Sequence, residues 1–422
     1  MSRGEHSERG SVGNHQEAAG MKKGWETKTL GEVLVKTETT DPTRSPQTEF
    51  DYIDVSCVSN ETLTIQETQR LKGTDAPSRA RRLVRANDVL FATIRPTLRR
   101  IAIVPGELDK QVCSTGYFVL RPQPRVDYRF VFYFLQTEDF MSEMEKLQKG
   151  ASYPAVTDGD VRSQKIPVPA LAEQQRIVGV LDEAFAGLAT AQAHAARNLH
   201  NARALFESHL QSVFTHRGKG WVEKPLSEMC DIKHGFAFKG EFFTNQGDYV
   251  VLTPGNYFES GGYRDRGEKQ KYYAGEIPPD YIMKEGDMLV AMTEQAAGLL
   301  GSPLLVPQSN KFLHNQRLGL VIAKAGAPWT NEFFFHVFNT QAVRKAIHDS
   351  ASGVKVRHTS PTKIGEVVVA FPTSTKEQKA IVAVLAALAA ETQRLERLYG
   401  QKQAALGELK KALLHRAFSG EL

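Results

Sequence analysis

Cysteine is scarce: Cys57, Cys113 and Cys230 stand far apart in 422 residues, with no C-x-x-C pair among them. That spacing excludes a disulfide framework and the common zinc sites, and it fits a reducing cytoplasm. The histidines show no H-E-x-x-H spacing, so no metal is implied. No apolar run reaches the roughly 18 residues of a membrane span, and the expectation is a soluble protein with no membrane partner. A G-x-x-x-x-G-K-[ST] phosphate loop and a strand-borne G-x-G-x-x-G are both missing, which leaves ATP and dinucleotide binding unsupported. There is no Asn-Pro and no Asp-Pro-Pro, hence no N/D-P-P-Y/F segment of the kind that holds a target amine in amino-methyltransferases. The sole Pro-Asp, Pro279-Asp280, has no E-x-K before the helix start at Glu377, and nucleophile-elbow signatures are absent. The residues describe a binder with neither a catalytic centre nor a cofactor of its own.

Net charge is also small. Lys and Arg total 53 against 48 Asp and Glu, a balance of +5 that points to no partner until its distribution is known. The first 20 residues, MSRGEHSERGSVGNHQEAAG, carry no apolar core and read as a disordered leader, with Met21 an alternative start.

What the chain does have is a duplication. Gly24-Trp25 is echoed by Gly220-Trp221 at an offset of 196, and RANDVLFAT (85–93) by KEGDMLVAM (284–292) at 199. EQQRIVGVL (173–181) then returns as EQKAIVAVL (377–385), and from Glu173/Glu377 to Phe214/Phe418 the identities keep one offset of 204. A gapless match of that length means that helix length is held fixed. Fixed-period self-similarity governs architecture. Strand runs such as LFATI and YFVLRP mix with helical spacing in DYRFVFYFLQTEDFMSEMEKLQ, and the second half repeats the mixture.

The fold class is therefore α+β, with two duplicated domains separated by two long helices. The boundaries expected are a leader over 1–20, a first domain over 21–171, a first helix over 172–216, a second domain over 217–374 and a second helix over 375–422. A heptad stripe through Ile177, Leu181, Leu188, Ala195 and Ala202 is small-sided, and its counterpart through Leu385, Leu388, Leu395 and Leu406 is large-sided, so the helices complement one another. Antiparallel pairing would give a pseudo-twofold dumbbell about 63 Å between its ends, at 1.5 Å per residue.

Positive charge concentrates in RLKGTDAPSRARRLVRANDVLFATIRPTLRR (70–100), where nine basic residues face two aspartates. Arg79, Arg81, Arg82, Arg95, Arg99 and Arg100 are the candidates there, since a guanidinium fork suits phosphates and guanine edges. In the second half Arg264 and Arg266 lie among tyrosines, and Lys355 and Arg357 mark an exposed turn. Trp25 and Trp221 read as core anchors.

KIPVPALAEQQRIVGVLDEAF (165–185), its repeat FPTSTKEQKAIVAVL and the closing LKKALLHRAFSGEL resemble the specificity subunit of type I restriction-modification systems. The resemblance covers about residues 21–422. It implies two target-recognition domains, each reading one half of a bipartite, asymmetric double-stranded DNA sequence, with the helices as a ruler. It implies two methyltransferase subunits docked at the repeated helix starts through Glu173, Gln174, Ile177, Glu377, Gln378 and Ile381, with restriction subunits beyond them. S-adenosylmethionine, ATP and Mg would belong to those partners. It also adds Tyr153 and Lys355, in matching loops, to the DNA-contact set. Two other readings stay open: a specificity subunit of a type II system with a fused methyltransferase-nuclease partner, and a coiled-coil protein-binding scaffold.

Overall fold

A computed structural model describes Lys22 and residues 24–295 and 297–422; the leader and the Met21 start lie outside the described residues. The fold is α+β and falls into two compact units, Met1–Ala195 with Gln401–Leu422, and Ala196–Gly400. The long helices run over Leu171–Thr215 and Thr375–Ser419, so each unit holds a sheet-bearing body, the start of one helix and the end of the other. No helix among the described residues is long and apolar enough to cross a membrane.

In the first unit, Val89–Ala92 is the middle strand of a three-stranded antiparallel sheet, between Ile101–Ile103 and Tyr117–Leu120. All four of its residues are buried, because both faces of the sheet are covered. The two faces divide with the two-residue period of a strand. Val89, Phe91, Phe118 and Leu120 join the core that faces the helices, while Leu90, Ala92, Tyr117 and Val119 join the core beneath a second, four-stranded sheet. The second unit repeats this division, with Met288 and Val290 on the helix side and Leu289 and Ala291 opposite. The segment with continuous helical spacing in each half is two helices, Tyr128–Phe134 with Glu138–Leu147, and Asn331–Phe338 with Gln341–Ser350. Thr137 and Thr340 break them, each accepting an amide hydrogen bond at the new N-terminus.

The body of each unit is tied to its helix by a strand pair, Glu26–Thr29 with Lys165–Val168 and Trp221–Pro225 with Val368–Pro372. The predicted stripe on the first helix is the buried one, through Ile177, Leu181, Leu188, Ala195 and Ala202. Helix ends close the cores. In the first unit the Phe418 ring lies 4.7 Å from Phe130 and 5.5 Å from Phe134, above buried Leu414 and Ala417. In the second, Phe214 lies 5.5 Å from Phe333 and 5.9 Å from Trp221. The pairing is antiparallel within each unit: Lys410 sits over Phe185 in the first, and Arg203 bonds Glu396 in the second.

Phe418→Ala should therefore lower the stability of the first unit by about 2–4 kcal/mol, somewhat less than a fully buried Phe because the ring is only partly covered. Denaturant unfolding of the full chain checks this; an unchanged midpoint would mean that the helix end does not complete the core.

Candidate nucleic-acid interface

The repeated helix starts have the same internal lock. Gln174 is fully buried; its Oε1 accepts from the Asp127 amide at 2.9 Å, and its Nε2 donates to the carbonyls of Pro169 at 2.8 Å and Arg125 at 3.3 Å. Gln378 does the same in the second unit, donating to Pro328 and Pro372 carbonyls at 2.7 and 3.1 Å and accepting from Thr330 Oγ1 at 3.0 Å. The strands that end at these prolines leave carbonyls needing a donor, and the glutamines supply it. Ile177 is buried beside Gln174, and Ile381 packs against the second unit's core. Of the residues read from sequence as docking contacts, Gln174 and Gln378 thus face inward because the backbone they satisfy is their own unit's, and Ile177 because it packs in the first unit's core.

Glu173 and Glu377 remain partly exposed. Hydrogen bonds from Arg176 and Lys22 hold the Glu173 carboxyl down at about 2, and Glu377 accepts from the Trp221 indole at 3.0 Å. Trp25 packs against the first unit's core as expected.

Folding splits the basic run. Arg70, Arg81, Arg82, Arg85 and Arg99 are paired with carboxylates: Arg70 with Asp51 at 2.8 Å, Arg81 with Asp41 at 3.3 Å, Arg82 with Asp158 at 2.8 Å, Arg85 with Glu38 at 3.1 Å and Arg99 with Glu138 at 2.8 Å. The guanidinium groups with no carboxylate partner among the described residues converge elsewhere. A cleft of about 410 Å³ is lined by Arg79, Arg95, Arg100, Leu98 and Tyr153, and by Asp54. Arg79 is exposed and has no ion pair or side-chain hydrogen bond among the described residues. Arg95 reaches Ser152 O only at 3.5 Å and lies over the Tyr153 ring at 5.2 Å, while Arg100 is anchored to Val55 O at 2.6 Å.

The second unit has a cleft of about 630 Å³ at the equivalent place, lined by Arg266, Arg317, Gln295, Glu294 and His358. The equivalence is set by backbone pairing: Ile94 bridges Ala155 in the first unit, and Thr293 pairs with His358 in the second. The chemistry differs position by position. Where exposed Arg95 stands in the first unit, the second has buried Glu294, whose Oε2 accepts the amides of Gly298, Leu299 and Leu300 at 3.0, 3.1 and 2.9 Å. Conversely, the carbonyl that receives the Thr93 amide belongs to Gly116, and the one that receives the Met292 amide belongs to Arg317, whose exposed side chain enters the cleft.

Of the second-half candidates, Arg266 lines the cleft and Lys355 is exposed on the neighbouring hairpin. Arg264 is exposed away from the lining. Arg357 turns inward, holding His348 through Nε2 at 2.8 Å and its carbonyl at 2.7 Å. Sequence reading missed Arg317 and Gln295; the exchange of glycine for arginine between the repeats is the signal that marks the first.

A family model described as type I restriction modification DNA specificity domain matches this chain twice, over residues 22–194 and 218–403. The Type I restriction enzyme EcoBI specificity subunit of Escherichia coli is 26% identical over 204 residues, 48% of this chain and 39% of that protein. The HindI specificity subunit of Haemophilus influenzae is 26% identical over 134 residues, 31% and 28% of the two chains. The alignments thus span less than half the length of these curated relatives. Among solved structures, one describing complex assembly and conformational transition of the type I R-M system superposes with a TM-score of 0.83 at 26% identity, covering 96% of this chain and all of that one. The HsdS subunit from Thermoanaerobacter tengcongensis gives 0.66 at 26% identity, covering 95% and 98%.

The inward role of the glutamines has a direct check. Gln174→Leu should destabilise the first unit by about 2–3 kcal/mol by orphaning a buried amide and two carbonyls, whereas Arg79→Ala should leave the thermal midpoint unchanged. Equal, small effects of both would contradict the lock.

Proposed function

This chain belongs to the type I restriction-modification DNA specificity family, and on that premise we propose that it is the non-catalytic specificity subunit of such a complex, working in the cytoplasm. Each unit contacts one half of a bipartite, asymmetric double-stranded DNA target through its cleft. The single observation that carries this is the pair of clefts at equivalent framework positions with different side chains, Arg79, Arg95 and Arg100 in one and Arg266, Arg317 and Gln295 in the other. A duplicated frame with unlike linings suits one target of two unlike halves. Arginine forks suit guanine edges and phosphates, and glutamine suits adenine.

The long helices set the distance between the half-sites. Their exposed faces repeat as well: Val180 and Val384 are exposed at matching positions, as are Leu205 and Leu409. A surface present twice suits two copies of one partner, and we assign it, with Glu173 and Glu377, to two methyltransferase subunits. Restriction subunits complete the complex, and S-adenosylmethionine, ATP and Mg²⁺ act on those partners.

The test is to co-express the full chain with the methyltransferase encoded beside it in a methylation-free host and to map N6-methyladenine across the genome. A split motif with a fixed gap is the expected result. Arg79→Ala with Arg95→Ala should weaken DNA binding at least tenfold and flatten its salt dependence by about two contacts, relaxing one half of the motif. A wild-type complex without salt-sensitive DNA affinity would favour the protein-binding scaffold instead.

A further inference from the structure

Two loops stand at the mouth of the first cleft. One is the turn Pro96–Leu98, bracketed by Arg95 at φ 51° and Arg99 at φ 54°. Left-handed backbone is unfavourable for residues with a Cβ, and two such residues within five positions persist only where the surroundings hold them. Here the Arg95 amide donates to Pro154 O at 2.7 Å, and the Arg99 guanidinium grips both oxygens of Glu138 at 2.9 and 2.8 Å. The second loop is a hairpin closed by reciprocal 2.9 Å backbone bonds between Lys149 and Ala155. It turns at Gly150, φ 103°, where a Cβ would come within 3.0 Å of Tyr153 O.

These rigid loops hold apolar groups out in water. Leu98 is 41% exposed and Tyr153 71%, with no hydrogen bond to the Tyr153 hydroxyl among the described residues. Below them is the arginine floor. The second unit builds the same hairpin, closed between Ser352 and His358 at 2.9 and 2.8 Å, with Gly353 at φ 99° and its would-be Cβ 2.1 Å from Val356 O. Its tip carries Val354, 99% exposed. Phosphate contact alone needs cations and amides, not an aromatic ring or a valine held outward on a braced turn. Apolar side chains flanked by arginine are the means by which proteins part a base step and kink a duplex.

We propose that the two hairpins are wedges: Tyr153, with Leu98 beside it, and Val354 enter between neighbouring base pairs and unstack one step at each half-site. This rests on the DNA reading above. The wedge adds a layer of selectivity that no base contact supplies, because pyrimidine–purine steps open more easily than others. The ring of Tyr153 stacks on the exposed base face, and Arg95 stays above it.

The test uses the full chain in complex with its methyltransferase partner, bound to the mapped target carrying single 2-aminopurines at positions other than the methylated adenines. Fluorescence should rise several-fold on binding at one step in each half. Tyr153→Ala should abolish the rise in one half only and weaken binding about tenfold, Tyr153→Phe should keep it, and Val354→Ser should abolish the rise in the other half. Unchanged thermal midpoints are expected for all three, since the replaced side chains are exposed. Tight specific binding with no rise, or with a rise indifferent to the substitutions, overturns the wedge and leaves the cleft reading standing. Absence of specific binding by the wild-type complex overturns both.

Discussion

Packing of Phe418 between Phe130 and Phe134 draws the far end of the chain into the first unit's core, and Phe214 fills the matching slot against Phe333 in the second. Each core is finished by the last turns of a long helix, which within that unit pairs antiparallel with the start of the other helix. This is the physical reason for an offset of 204 kept without a gap from Glu173/Glu377 to Phe214/Phe418. One inserted residue in either helix rotates its end by about 100° and takes the closing phenylalanine off its slot. Ala195 and Ala202 lie buried on the stripe of the first helix.

From that closed frame the clefts follow. The buried central strands lead to Ile94 and Thr293, and backbone pairing of these with Ala155 and His358 holds the 149–155 and 352–358 hairpins against them. The frame is duplicated and the lining is not. Exchange of Arg95 for Glu294 and of Gly116 for Arg317 alters the cleft while the paired strands behind it stay the same, which is how one architecture presents two different surfaces.

The duplication, the two helices, the buried stripe and the α+β character were all legible in the sequence, because each is a repeated or periodic pattern. Which arginines are free was not. Asp41, Asp158 and Glu138 neutralise Arg81, Arg82 and Arg99 from segments brought together only by folding, so local charge density overstated the basic surface. The E-Q-x-x-I phrase carries an internal demand that its repetition alone does not reveal. Its repetition suggested an external partner, yet Gln174 and Gln378 recur because the same strand ends leave the same carbonyls to be satisfied. Repetition in a sequence marks a repeated physical demand, and here part of that demand is internal.

The claim that the two clefts act as separate readers is tested most directly by hydroxyl-radical footprinting of the full complex on its mapped target. Wild type should protect two patches. A variant of the first cleft, Arg79→Ala with Arg100→Ala, should lose one patch and keep the other, and Arg266→Ala with Arg317→Ala should do the reverse. Both patches fading together in each variant would contradict the account, since it would mean one shared surface and not two.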